Sequence, residues 1–239
     1  MKEIEKFIAQ QSYSPFDLKA VFFDMDGVLF DSMAFHALSW RRTMQSNGFP
    51  FTEEDAYMNE GRTGEATIND CFLKYRGRPA SEEEREAMYA EKGRHFESCG
   101  PVKPLEHVLE LLQKIKSQGL EIYIVTGSAQ RSLLNTLQHH FDGIFEKEKM
   151  VTAFDVTFGK PNPEPYLMAL QKANIQPWQA VVIENAPLGI QSSVGAGIFT
   201  IAVNTGILKN KVLIDAGAHV VYPSINDLLT QWHTIYDKK

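Results

Sequence analysis

Val21-Phe22-Phe23-Asp24-Met25-Asp26-Gly27-Val28-Leu29-Phe30-Asp31-Ser32 is the stretch on which the reading of this chain turns. The apolar run from Ala20 reads as a buried strand, and it ends at two carboxylates one residue apart, followed by glycine. In an extended segment residues i and i+2 point the same way, so Asp24 and Asp26 leave the strand together and converge on one space. Carboxylates held that close repel unless a cation or a shared proton compensates them, which makes a Mg2+ site the natural reading. Taken alone, Asp-x-Asp-Gly fits an acidic turn after a strand equally well.

Working outward, further apolar runs alternate with helical patterns. Glu121–Thr126 and Ala180–Glu184 are the clearest strands, Phe199–Val203 and His219–Tyr222 follow, and Ile144-Phe145 is a fainter candidate. Between them, Leu105, Val108, Leu109, Leu111, Leu112 and Ile115 form a helical stripe with Gly119 as its stop, and further helices are expected over 165–173 and 225–235. Strand and helix in alternation predict an α/β fold, a doubly wound parallel sheet with helices on both faces. Residues 34–100 differ. They hold no convincing strand but four helical segments, over 35–48, 53–59, 64–75 and 81–97, the last opened by a Ser81/Glu84 capping box. The expected organisation is core (1–33), an inserted all-helical cap (34–100), and the rest of the core (101–239).

Composition sets limits. The chain has 239 residues, 44% of them hydrophobic, enough for a sizeable core. Thirty acidic against twenty-four basic residues give a formal charge of −6, which speaks against nucleic-acid or anionic-membrane partners. No apolar run has the length of a membrane span, the first sixteen residues lack a signal-peptide core, and Cys71 and Cys99 make neither a disulfide framework nor a zinc site. A cytoplasmic monomer is the expectation.

In an open parallel sheet, ligands bind beyond the carboxyl ends of the strands where the strand order reverses. Four such ends carry suitable residues: Asp24 and Asp26; Thr126-Gly127-Ser128, with hydroxyls and open backbone N–H groups for a phosphoryl oxygen; Lys160 in the Pro-rich loop Gly159–Pro163; and Glu184-Asn185, with two more oxygen donors. Each has a plainer reading. Thr-Gly-Ser can be a helix cap, Lys160 a surface lysine, and Asn185 the N-cap of a helix with Pro187 in its first turn. Their joint order is what those readings leave unexplained.

With these motifs the chain resembles the haloacid dehalogenase superfamily of phosphotransfer enzymes, over nearly everything after Phe16. The helical block resembles the cap of the branch containing beta-phosphoglucomutase. Glu60-Gly61-Arg62-Thr63-Gly64, Val151–Asp155 and Ile183–Pro187 are similar to a bacterial inorganic pyrophosphatase type. The resemblance implies that Asp24 attacks phosphorus to form an aspartyl-phosphate, and that Asp26 protonates the leaving oxygen and then activates water. It implies that Thr126 and Lys160 bind phosphoryl oxygens, and that Mg2+ takes Asp24, the carbonyl of Asp26 and Asn185, with Glu184 and Glu60 as further candidate ligands. Two departures matter: Asn185 stands where much of the superfamily has a carboxylate, and Glu60 and Gly64 stand where the mutases carry basic residues, with Arg62 between. In the cap, Arg62, Thr63, Tyr89 and Lys92 are expected to line the substrate, Lys92 meeting a second phosphate and Tyr89 limiting space. His36 faces the same space and reads as a packing or hinge residue. The expected activity is Mg2+-dependent hydrolysis of a small phosphorylated substrate, inorganic pyrophosphate first. The alternatives are a hexose-phosphate phosphatase or beta-phosphoglucomutase and, from another class, a phospho-accepting signalling module.

Overall fold

The structure, a computed structural model, describes residues 2–13, 15–128 and 131–236, and only the backbone of 131–134. Strands β1 (Ala20–Phe23), β2 (Glu121–Val125), β3 (Met150–Val151), β4 (Ala180–Glu184), β5 (Phe199–Val203) and β6 (Val220–Tyr222) form one sheet in the order β3-β2-β1-β4-β5-β6. Every pairing is parallel. The chain winds outward from β1 through β2 to β3, then crosses to β4 on the other side, so β1 lies at the reversal of strand order. Burial follows the two-residue period: Val21 and Phe23 enter one hydrophobic cluster and Ala20 and Phe22 the other. Such strands, buried on both faces, read as continuous apolar runs, which is why β1, β4 and β5 are visible in the sequence.

The helices are α1 (Lys2–Gln11), α2 (Met33–Ser46), α3 (Glu53–Met58), α4 (Gly64–Arg76), α5 (Glu82–Glu97), α6 (Val108–Ser117), α7 (Arg131–His140), α8 (Glu164–Ala173), α9 (Pro187–Gly195), α10 (Asn210–Asp215) and α11 (Ile225–Gln231). Residues of α1, α6 and α11 pack on one face of the sheet, and residues of α8 on the other. Among the described residues no helix is long and apolar enough to cross a membrane.

Helices α2 to α5 close around a hydrophobic cluster of their own that includes Trp40, Met44, Phe49, Ile68 and Phe72. This helical insertion joins the core through two connections that run antiparallel: Asp31 N–H donates to the Lys103 carbonyl (2.9 Å) and Leu105 N–H to that of Leu29 (3.0 Å). A third contact is made by the β5–α10 loop, whose Leu208 is buried in the insertion's cluster.

Two expectations and one alternative reading are corrected. The edge strand is Met150-Val151, not Ile144-Phe145, which are partly buried against the main cluster. The N-cap of α9 is Ala186, which leaves Asn185 outside the helix. The final helix ends at Gln231 and continues as a 3-10 turn over Trp232–Thr234.

Candidate active site

Asp24 and Asp26 stand at the carboxyl end of β1, 2% and 3% exposed. The loop can turn so tightly because Gly27 adopts φ +79°; a Cβ there would also lie 2.0 Å from Asn185 Nδ2. Lys160, 1% exposed, donates to Asp24 Oδ1 (2.6 Å), Glu184 Oε1 (2.6 Å) and the Val125 carbonyl (3.0 Å). Its three protons are thereby matched to partners at the ends of β1, β4 and β2. Burial pushes the Asp24 carboxyl up to about 7, against the pull of Lys160 and with Glu184 adding to the rise. Burial alone would lower Lys160, but Asp24 and Glu184 outweigh it and hold the ammonium charged.

Glu184, an expected metal ligand, is otherwise committed. Its Oε1 accepts from Lys160 and from the buried Tyr166 hydroxyl (2.9 Å), and its Oε2 from the N–H groups of Asn185 (3.0 Å) and Ala186 (3.1 Å). The carboxylate orients Lys160. Tyr166, fully buried with its ring 5.2 Å from the Lys160 ammonium, is a positioning residue the sequence reading missed. Thr126 Oγ1 accepts from Ser128 N–H (3.0 Å), so its own proton is left to give to an incoming oxygen.

Asp26 is held from the insertion side. Its Oδ1 accepts from Ser32 Oγ (2.6 Å) and lies 3.0 Å from His36 Nε2, while Lys92 Nζ lies 2.8 Å from His36 Nδ1. An ammonium only donates, so Nδ1 accepts and the proton sits on Nε2, directed at Asp26. Burial would raise Asp26, but His36, Ser32 and Lys92 hold it below the usual carboxylate range. Burial, then the Lys92 charge, lowers His36. Lys92, 3% exposed, is pushed down to about 8 by burial against the attraction of Asp26 and Glu60. His36 is thus no mere hinge or packing residue, and the Lys92 ammonium is engaged by His36. Ser32, also missed, ends the decisive stretch, and a hydroxyl six residues after Asp26 was its only signal.

Glu60 is half-buried, its carboxyl pushed well up by burial and then by Asp26 and Asp24. With Tyr89 and Lys92 from the insertion and Gly127 and Ser128 from the core, it lines a cavity of about 30 Å3. Arg62 pairs with Asp70, and its Nε is buried without a partner. Thr63 is spent locally as the N-cap of α4, accepting from Ala66 N–H (3.3 Å).

Among the described residues no three His, Cys, Asp or Glu side chains gather as a metal cluster. What does fit a hard cation is a mixed oxygen set. Asp24 Oδ2 and Asn185 Oδ1 are buried without hydrogen-bond partners, at neighbouring strand ends. Two orphaned oxygens beside the Asp26 backbone suit Mg2+, which takes few protein oxygens and keeps waters.

Residues 21–203 match the profile of the haloacid dehalogenase-like hydrolases. A phosphorylated carbohydrates phosphatase of Thermotoga maritima is 30% identical, covering 84% of this chain and 92% of its own. The pyrophosphatase PpaX of Bacillus mycoides is 28% identical over 89% of this chain and 95% of its own. A solved structure from Bacteroides vulgatus, described as a "putative beta-phosphoglucomutase", is 51% identical, with a TM-score of 0.94 over 98% of this chain and 95% of that one.

Proposed function

We propose that this chain, which belongs to the haloacid dehalogenase-like hydrolases, is a phosphatase of small phosphorylated carbohydrates working through a covalent intermediate on Asp24. The observation that carries the chemistry is the division of labour between two adjacent carboxylates: Asp24 clamped by Lys160, Asp26 tied through His36 to Lys92. The sugar-phosphate assignment is supported by the phosphorylated carbohydrates phosphatase and by the beta-phosphoglucomutase-like structure, both more similar to this chain than the pyrophosphatase, and it displaces the pyrophosphate-first expectation. The family also sets aside a signalling module that accepts one phosphoryl group and stops.

In this reading an Asp24 oxygen bonds to phosphorus as the bond to the leaving oxygen breaks, and that oxygen takes its proton from the protonated form of Asp26, in which Oδ2 carries the proton because Oδ1 is held by Ser32 and His36. Asp26 then takes a proton from water, which attacks the aspartyl-phosphate and frees phosphate and Asp24. Thr126 donates to a phosphoryl oxygen, and Lys160, its protons already shared among Asp24, Glu184 and the Val125 carbonyl, keeps Asp24 in place and sets a positive charge beside a transition state whose charge is spread over those oxygens. Asp24, Asn185 and the Asp26 carbonyl would hold Mg2+, which when bound supplies positive charge that favours ionised Asp24 and offsets the phosphoryl charge. The His36–Lys92 link joins the Asp26 proton to the seating of the insertion.

One observation favours a second reading. The cavity is crowded from the insertion side, with Trp40, Glu60, Tyr89 and Lys92 among its lining residues. Such a space suits inorganic pyrophosphate better than a hexose phosphate. The test is phosphate release with Mg2+ across hexose phosphates, hexitol phosphates, small phosphoesters and pyrophosphate. A kcat/KM highest for sugar phosphates supports the first reading, highest for pyrophosphate the second, and no release from any of them refutes both.

A further inference from the structure

Three core glycines face the insertion where a side chain would not fit. A Cβ on Gly127 would lie 2.3 Å from the Gly61 carbonyl oxygen, one on Gly159 2.6 Å from Thr63 Cγ2, and one on Gly206 2.7 Å from the Tyr57 ring. These glycines come from three separate loops, after β2, after β3 and after β5. None of the three has a left-handed φ, unlike Gly27 or Gly61, so backbone conformation does not call for glycine at any of them. What they share is clearance. On the insertion the facing atoms all fall within residues 57–63, the stretch that also carries Glu60 and Arg62 into the cavity.

We propose that Gly127, Gly159 and Gly206 form a bare seat that sets how closely residues 57–63 approach the core, and so fixes the size of leaving group the site accepts. This rests on the reading that phosphoryl transfer takes place beneath the insertion. Carbon atoms rest at about 3.5–4.0 Å, so a single methyl on the seat must lift residues 57–63 by roughly 1 Å. The lift has no cheap alternative. At Gly127 the opposing atom is backbone, and at Gly206 the Tyr57 ring is only 7% exposed. Gly206 is the most telling position because it lies outside the cavity lining, while Leu208, two residues on, is held in the insertion's hydrophobic cluster.

The experiment compares Gly206→Ala and Gly127→Ala with Gly93→Ala, a control at which a Cβ meets nothing within 4 Å. Activity is read as kcat/KM with Mg2+ for a compact donor, acetyl phosphate, and a bulky one, glucose 6-phosphate. Lifting the insertion should raise the ratio of bulky to compact by about tenfold or more in both seat variants, since a displacement of 1 Å can cost a well-held substrate up to about 100-fold. Gly93→Ala should leave the ratio at the wild-type value. Independently of any substrate, amide hydrogen exchange over residues 57–63 should quicken in the seat variants while the exchange of β1 and β4 stays slow, which also shows that the fold is kept. An unchanged ratio, or exchange over 57–63 identical to wild type, overturns the proposal. A wild type that releases phosphate from neither donor, nor from any hexose phosphate, hexitol phosphate or pyrophosphate, refutes the underlying reading of the site and the size selection with it, and that outcome is visible before any variant is made.

Discussion

Asp24 and Asp26 are the same residue type two positions apart, and their surroundings push them in opposite directions: Asp24 upward by burial, Asp26 downward by His36, Ser32 and Lys92. A nucleophile at Asp24 works only ionised, the state that Lys160 and a bound cation favour, and an acid at Asp26 works only once its Oδ2 has taken up a proton. Asp24→Asn should therefore lower kcat at least 100-fold for every substrate, about 2.7 kcal/mol, with the melting temperature near wild type; a residual kcat above that limit rules out covalent catalysis by Asp24. Asn185→Ala, which removes one of the two orphaned oxygens, should raise the Mg2+ concentration for half-maximal activity, and a titration that superimposes on wild type would show that the amide holds no metal. At this scale the sequence showed what local geometry dictates. The Asp-x-Asp pair is legible because the strand period is two. The Tyr166–Glu184–Lys160–Asp24 chain is not, because it joins residues from four elements and each partner alone has an ordinary role.

Among the elements, α5 shows a local rule and a tertiary role side by side. Its start was legible: the Ser81 hydroxyl accepts from Glu84 N–H (3.2 Å) and Glu84 Oε2 from Ser81 N–H (2.8 Å). The same carboxylate takes two bonds from Arg78, and these, with the Ser81 N–H, lower it to about 2. A carboxyl lowered on folding stabilises the protein above its unfolded value, near 4.5, and that contribution is lost as pH falls through about 2. Thermal melts of wild type and Glu84→Gln at pH 5, 3.5 and 2.5 should show a gap that narrows with acid; a constant gap would mean that Glu84 ionisation does not support the helix. The far half of α5 was less legible. The sequence reading turned Lys92 toward the substrate but gave no sign that its partner is a histidine 56 positions earlier. Likewise β3, two residues long, carries too little pattern to be told from the apolar pair Ile144-Phe145.

For the whole molecule, stability and chemistry sit on separable parts. Helix α1 lies outside the matched family region, yet Phe7, 2% exposed, packs edge-on against Phe199 (5.5 Å) and His219 (4.8 Å) on the sheet. Phe7→Ala should cost about 3–5 kcal/mol in denaturant unfolding and leave kcat unchanged. A loss of kcat in still-folded protein would show instead that α1 supports the site. The paired connections between insertion and core have a different kind of consequence. Because the two are bonded to each other between residues 29–31 and 103–105, bending across that ribbon keeps both hydrogen bonds, whereas twisting or sliding shears them. Bending about that ribbon is the displacement its hydrogen bonds resist least, and the Leu208 contact from the β5–α10 loop must part or follow when it happens.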